Sequence, residues 1–218
     1  SSVKEIGYHT FSYCSSLTSI VIPEGVTEIG GGAFADCTSL TSVVIPSNVT
    51  EIGKDAFSGC ASLTSIIVEE GNSVYDSREG CNAIIETATN TLIKGCNSTI
   101  IPSNVTKIGE SAFQDCTSLT SIVIPESVTK IEFGAFDGCT SLTSVVIPEG
   151  VTKIGGRTFD GCTSLTSVVI PIGVTAIGNF AFSGCTYLTS IAIPSSVKEI
   201  GYHTFSYCSS LTSIVIPE

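Results

Sequence analysis

The stretch VTEIGGGAFADCTSLTSVVIP, residues Val26–Pro46, decides the fold, because its pattern recurs along the chain at a fixed step. The unit reads V-x-x-I-G-x-x-x-F-x-x-C-x-x-L-x-x-I-x-I-P, and eight copies follow it. A unit of 23 residues is too short to bury its own apolar side chains. Stacked copies bury Val on Val, Phe on Phe and Cys on Cys, so the pattern predicts a solenoid.

The cysteines mark the step most clearly. Those that follow it are Cys14, Cys37, Cys60, Cys116, Cys139, Cys162, Cys185 and Cys208. Their side chains all point the same way into the core of a solenoid, which is the wrong geometry for bridging neighbours. We therefore expect a buried column of reduced thiols.

Within one coil, the segment LTSIVIP alternates between inward and outward positions. Ile20 and Ile22 point inward, whereas Ser19 and Val21 point outward. This predicts one parallel strand per coil, ended by a proline, with a second short extended piece at VTEIG. The segment GGAFADCTS turns the chain back, and we expect a 3-10 or helical turn there. Gly7, Gly30 and Gly53 are expected to adopt positive φ at the corner.

These motifs resemble the BspA-type leucine-rich repeats of bacterial and protist surface proteins. The resemblance covers essentially the whole chain, since V-x-x-I-G, A-F-x-x-C and L-x-x-I-x-I-P recur in that order. It implies a curved right-handed leucine-rich repeat solenoid of about nine coils, secreted or displayed on a cell surface. We expect a single solenoid over residues 1–218, cut from a longer array.

One coil, at about residues 69–102, is about ten residues too long. Its segment CNAIIETATNTLIKGC predicts a β-hairpin that turns at residues 87–90 and replaces the turn segment of the coil. In that register Ile84 faces Ile93, Ile85 faces Leu92 and Cys81 faces Cys96. A disulfide between Cys81 and Cys96 and a pair of free thiols are both open. The hairpin is either a structural variant or a recognition loop.

The formal net charge of −11 argues against nucleic acid and against an anionic membrane surface. No apolar run reaches the roughly 20 residues of a membrane helix, so no membrane insertion is expected.

Neither His9 nor His203 has an obvious catalytic partner, and we predict no enzyme, no cofactor and no metal site. Aspartates beside the cysteine column could in principle bind calcium, but turn formation explains them better. They are Asp36, Asp115, Asp137 and Asp160.

The outward positions of the strands form two columns that we interpret as a binding surface. The predicted binding residues are Ser19, Val21, Ser42, Val44, Ser65, Ile67, Ser121, Val123, Ser144, Val146, Ser167, Val169, Ser190, Ser213 and Val215, with Ala192 in the same column. A contiguous exposed apolar stripe usually marks a binding surface, although β-branched residues also support strands. Strand support and partner binding explain the pattern about equally well.

Two functions therefore follow from the sequence. The first is a non-catalytic adhesion module that binds an extracellular protein, from host matrix or a neighbouring cell, through this face. The second is a structural array that stacks end to end, since residues 1–24 and 195–218 are identical. Each of those segments is one whole coil.

Overall fold

The structure, a computed structural model, describes residues 2–217. Every regular coil has a two-residue corner strand, formed from the VTEIG motif. The corner strands are β1 (Glu5–Ile6), β2 (Glu28–Ile29), β4 (Glu51–Ile52), β9 (Lys107–Ile108), β10 (Lys130–Ile131), β12 (Lys153–Ile154), β14 (Ala176–Ile177) and β16 (Glu199–Ile200).

A longer face strand follows the corner strand in most coils, formed from the motif S-[IV]-[VIA]. The face strands are β3 (Ser42–Ile45), β5 (Ser65–Val68), β11 (Ser144–Val146), β13 (Ser167–Val169), β15 (Ser190–Ala192) and β17 (Ser213–Val215). They pair in parallel, coil on coil, as two-stranded sheets. Single bridges, Ser19 with Ser42 and Ser121 with Ser144, carry the pairing into two further coils.

The corner strands form the most extended sheet, which the sequence did not indicate. An eight-stranded sheet has the order β16-β14-β12-β10-β9-β8-β7-β6, where β6 (Tyr75–Asp76), β7 (Ala83–Glu86) and β8 (Thr91–Gly95) belong to the long coil. Equivalent residues of adjacent coils lie opposite each other, as Ile131 does to Ile154. The 23-residue repeat therefore sets the register of the sheet directly.

The core consists of columns of equivalent side chains, identical in the phenylalanine column and similar in others, as where Val43 lies opposite Ile66. Phenylalanine rings stack in parallel, with centroids 5.0 to 5.6 Å apart, within the range of favourable aromatic pairs. The column runs through Phe11, Phe34 and Phe57, and resumes through Phe113, Phe136, Phe159, Phe182 and Phe205. It is interrupted at the long coil.

The turn segment of each regular coil contains consecutive turns, not the helical turn expected from the sequence. The residue before each column cysteine is left-handed, with φ between 56° and 71°, whether it is Tyr13, Asp36 or Gly138. A second left-handed residue lies four positions earlier, for example His9. Two left-handed residues so close together interrupt a right-handed helix. A 3-10 helix occurs in the long coil, at Arg78–Gly80.

The corner glycines have a role other than the expected positive φ. None of Gly7, Gly30 and Gly53 is left-handed. A Cβ built on Gly53 would lie 2.3 Å from the backbone nitrogen of Gly31 in the preceding coil. Glycine is needed there because two backbones approach more closely than any side chain allows.

The long coil forms the predicted hairpin from β7 and β8, joined by residues 87–90. Ile85 pairs with Leu92 as expected, but a register shift follows, and Ile84 pairs with Lys94 instead of Ile93. A shift of one residue moves side chains to the opposite face of a sheet. The expected alignment of Cys81 with Cys96 was therefore wrong.

Both hairpin cysteines are free thiols in the structure. Cys81 lies in one hydrophobic cluster with Ala83 and Ile85, whereas Cys96 lies in a second cluster with Ile84. The two faces of β7 therefore pack against two different parts of the core. The hairpin therefore lies between the two hydrophobic clusters.

The second strand of the hairpin takes the place of a corner strand and of the first part of the turn segment, whereas the sequence predicted replacement of the turn segment only. β8 pairs in parallel with β9, and the Gly95 amide donates to the Ala112 carbonyl at 2.8 Å. In regular coils the amide of the column phenylalanine makes this bond, as Phe34 does to Ala56. Gly95 replaces that phenylalanine, and a Cβ on it would lie 2.2 Å from the ring of Phe113.

Candidate binding surface

The outward columns of the face strands lie where the sequence predicted. Val21 and Val123 are 87% and 83% exposed, and Val146 and Val169 are 68% and 67% exposed. The register pairs Ser144 with Ser167 and Val146 with Val169, so each column is continuous from coil to coil. The intervening Val145 and Val168 are buried in the core.

All of the predicted surface residues except one are exposed, with Ser65 half-buried. None of the columns contains a charged side chain. Adjacent strands lie about 4.8 Å apart, so a partner would meet rows of hydroxyl and branched apolar groups at that repeat.

Threonine ladders border this surface, and sequence reasoning missed them. The Thr41 hydroxyl donates to the Thr18 carbonyl at 3.2 Å, and Thr166 donates to Thr143 at 3.1 Å, each reaching back one coil. The same bond recurs at a second column, where Thr175 donates to Thr152 at 3.2 Å. These bonds hold the hydroxyls in one orientation, so the border is rigid.

The opposite corner of the solenoid carries columns of like charge. Glu5, Glu28 and Glu51 lie in register, and the charges of the outer two raise the pKa of Glu28. Lys107 pairs with Lys130, and Glu132 bridges the two ammonium groups at 2.9 and 2.7 Å. Burial raises the pKa of Glu132, but these two lysines outweigh burial and leave the pKa below its ordinary value.

A group of aspartates lies beside the cysteine column. Burial, followed by the charges of Asp160 and Asp115, raises the pKa of Asp137 to about 7. Arg157 forms an ion pair with Asp160 at 3.3 Å and opposes the shift. Within residues 2–217, no three His, Cys, Asp or Glu side chains converge as metal ligands.

Several depressions interrupt the corner surface. The first, about 210 Å³, lies where the hairpin replaces the turn segment, and is lined by Tyr75, Lys94 and an ion pair between Lys54 and Glu110 at 2.9 Å. The second, about 630 Å³, we call the glycine groove. Its floor is formed by Gly155, Gly156, Gly178 and Gly201, and its walls by Phe133, Phe180 and Tyr202.

The repeat of this chain matches a known family along most of its length. The profile of the "BspA type Leucine rich repeat region (6 copies)" matches residues 1–87 and 90–212. The chain belongs to this family of BspA-type leucine-rich repeat proteins. The description of the matched family names a repeat and no enzymatic activity. No curated protein matches the chain.

Several solved structures, most of them named as leucine-rich repeat or leucine-rich proteins, share the fold. A leucine-rich cell surface protein of Faecalibacterium prausnitzii is 37% identical, with a TM-score of 0.87, over 97% of this chain and 57% of that one. A leucine-rich repeat protein of T. pallidum is 30% identical, with a TM-score of 0.55, over 89% of this chain and 78% of that one. The pneumococcal vaccine antigen PcpA, 22% identical with a TM-score of 0.72, shares the fold over 98% of this chain and 54% of its own.

The BspA-type chain described here spans little more than half of the first and last of these proteins. Between residues 2 and 217, no helix has the length and apolar character needed to cross a membrane.

Proposed function

We propose that this BspA-type solenoid is a protein-binding module, secreted or displayed on a cell surface, and that its partner docks on the Val and Ser columns of the face strands. The observation that carries the proposal is the exposed, uncharged, apolar column that continues from coil to coil. Contiguous apolar surface of this kind is unusual on a soluble protein unless it is covered by a partner.

Rigidity supports this assignment. The face strands are held by parallel pairing, and the adjoining threonine hydroxyls are bonded to the preceding coil. A partner that docks there orders few additional side chains, since β-branched residues have little rotamer freedom to lose. The name of the Faecalibacterium prausnitzii protein, a cell surface protein, supports the location.

The test uses the double variant Val146→Glu/Val169→Glu. Both side chains are exposed, so the fold tolerates the charges, whereas an apolar interface does not. Proteins captured from an extracellular-matrix extract by the wild-type chain are identified by mass spectrometry, purified, and titrated against each variant. We expect the double variant to bind at least about tenfold more weakly.

Tyr187→Glu is the matched control, because Tyr187 is 63% exposed but lies outside the columns. It should bind like the wild type. Equal affinity of the double variant and the wild type for every purified partner would rule out this face.

A further inference from the structure

The glycine groove is a separate feature from the face strands, and it lies at the corner of the last four regular coils. We propose that it binds an extended proline-rich segment of a protein partner, with an acidic and a basic residue three positions apart. This proposal does not rest on the function assigned to the face strands.

The walls of the groove are exposed aromatic side chains. Phe133 and Tyr202 are 47% and 63% exposed, at opposite ends of the groove. The Phe133 ring lies over Gly156, about 3.2 Å from where a Cβ would be. Tyr202 meets Phe180 edge to face, with centroids 5.1 Å apart. Polyproline II segments dock in aromatic-lined grooves of this kind.

Phe180 is held in an unfavourable backbone conformation. Its φ is 58°, in the left-handed region, where Gly32 and Gly134 occupy the equivalent position of other coils. A bulky residue with positive φ is strained and persists where the surrounding structure fixes it. The Arg157 guanidinium lies over the Phe180 ring, 5.1 Å from its centroid, so the ring is fixed as part of the wall.

The floor offers backbone hydrogen-bond donors. Within residues 2–217, the amides of Gly156 and Asn179 donate to no protein group. The equivalent amide of Tyr202 donates to the side-chain oxygen of Asn179 at 3.0 Å. That oxygen shows where the carbonyl oxygen of a ligand would lie. A polyproline II segment suits these donors, because its carbonyls make no internal hydrogen bonds.

Spacing and charge define the ligand further. The register places Lys153 opposite Ala176, and Ala176 opposite Glu199, so the cation and the anion are two coils apart. Two coils span about 9.6 Å, and one turn of polyproline II, three residues, spans about 9.3 Å. In a ligand with an acidic and a basic residue three positions apart, the acidic residue therefore lies at Lys153 and the basic residue at Glu199. Neither of these two groups forms an ion pair with another residue between 2 and 217.

A glycan is the alternative occupant of an aromatic groove. A neutral glycan would leave Lys153 and Glu199 without counter-charges at the two ends. The charge pattern therefore favours the peptide.

The experiment titrates the whole chain into a fluorescein-labelled peptide, PPEPPKPP, and follows fluorescence anisotropy at low salt. We expect saturable binding, about threefold weaker for the neutral peptide PPQPPQPP. Tyr202→Ala should weaken binding at least about tenfold, as truncation of a central aromatic does. Tyr8→Ala is the matched control, because residues 1–24 and 195–218 are identical and Tyr8 lies outside the groove. It should bind like the wild type.

Circular dichroism and the Tm of Tyr202→Ala establish that the variant is folded. The proposal is overturned if the charged peptide does not bind, or if Tyr202→Ala and Tyr8→Ala bind it equally well. It is also overturned if β-linked glucose oligomers bind in a Tyr202-dependent manner and the peptide does not.

Discussion

The thiol of Cys162 donates a hydrogen bond to the backbone carbonyl oxygen of Phe136 in the preceding coil, at 3.2 Å. The same bond joins Cys139 to Phe113 and Cys185 to Phe159. Each of these sulfurs is buried, so the column cysteines fill the core and also link successive coils.

Replacing Cys162 with alanine should therefore lower the free energy of unfolding by about 1–2 kcal/mol, through a small cavity and a lost hydrogen bond. Urea denaturation measures the change. Cys14→Ala is the control, because Cys14 is exposed and should be nearly neutral. Equal stabilities of the two variants would contradict a structural role of the column.

The reactivity of the thiols should follow burial. Desolvation raises the pKa of Cys162 well above its ordinary value and that of Cys60 to about 12, so both remain protonated and unreactive near pH 8. Iodoacetamide should label Cys14 in the native protein and the buried thiols only in denaturant. Peptide mass spectrometry locates the label. If Cys162 of the native protein were labelled as fast as Cys14, burial would not control thiol reactivity.

The corner glycines should not tolerate a side chain. Gly53→Ala introduces a Cβ 2.3 Å from the Gly31 nitrogen, and we expect a loss of about 3 kcal/mol in unfolding free energy. Gly71 has φ of 87° and no atom within 4 Å of a built Cβ, so Gly71→Ala separates backbone strain from crowding. It should cost about 1 kcal/mol. A larger effect at Gly71 than at Gly53 would show that crowding is not the cause.

Left-handed residues other than glycine offer a stabilising substitution. Ser111 has φ of 52°, where glycine would relieve about 1–2 kcal/mol of strain and cost about 0.5–1 kcal/mol of extra chain entropy. Ser111→Gly should raise the free energy of unfolding by about 0.5–1 kcal/mol. Ser118→Gly, at a residue without positive φ, should lower it by a similar amount. Thermal unfolding of the two variants measures both changes in stability. Destabilisation by both substitutions would be inconsistent with strain at Ser111.

Stability should depend on pH through Asp137. Its pKa is about 7 in the folded chain and near 3.8 when unfolded, so the folded state binds more protons between these values. Stability therefore rises as pH falls from 8 toward 5, by about 1 kcal/mol after screening by solvent. Asp137→Asn should flatten this dependence, whereas Glu149→Gln, at an exposed carboxylate, should not. The assignment would be refuted if the Tm of the wild type fell as the pH was lowered from 8 to 5.

Only part of the hairpin structure could be predicted from the sequence. Its existence, its turn at residues 87–90 and the pairing of Ile85 with Leu92 follow from the alternation of apolar residues. The register shift between Ile84 and Ile85 does not, because it is imposed by the two core clusters that the hairpin separates. This register shift is the reason why Cys81 and Cys96 do not align as the sequence predicted.

The amino-acid sequence alone determined the solenoid, the register of its regular coils and the outward Val and Ser columns, because a repeat of fixed length leaves each residue facing its own equivalent. Only the tertiary structure decided the two left-handed residues in each coil, the close backbone approach at Gly53 and the glycine groove between Phe133 and Tyr202. These depend on distances between coils, which are set by how neighbouring backbones pack and which no pattern within one coil records.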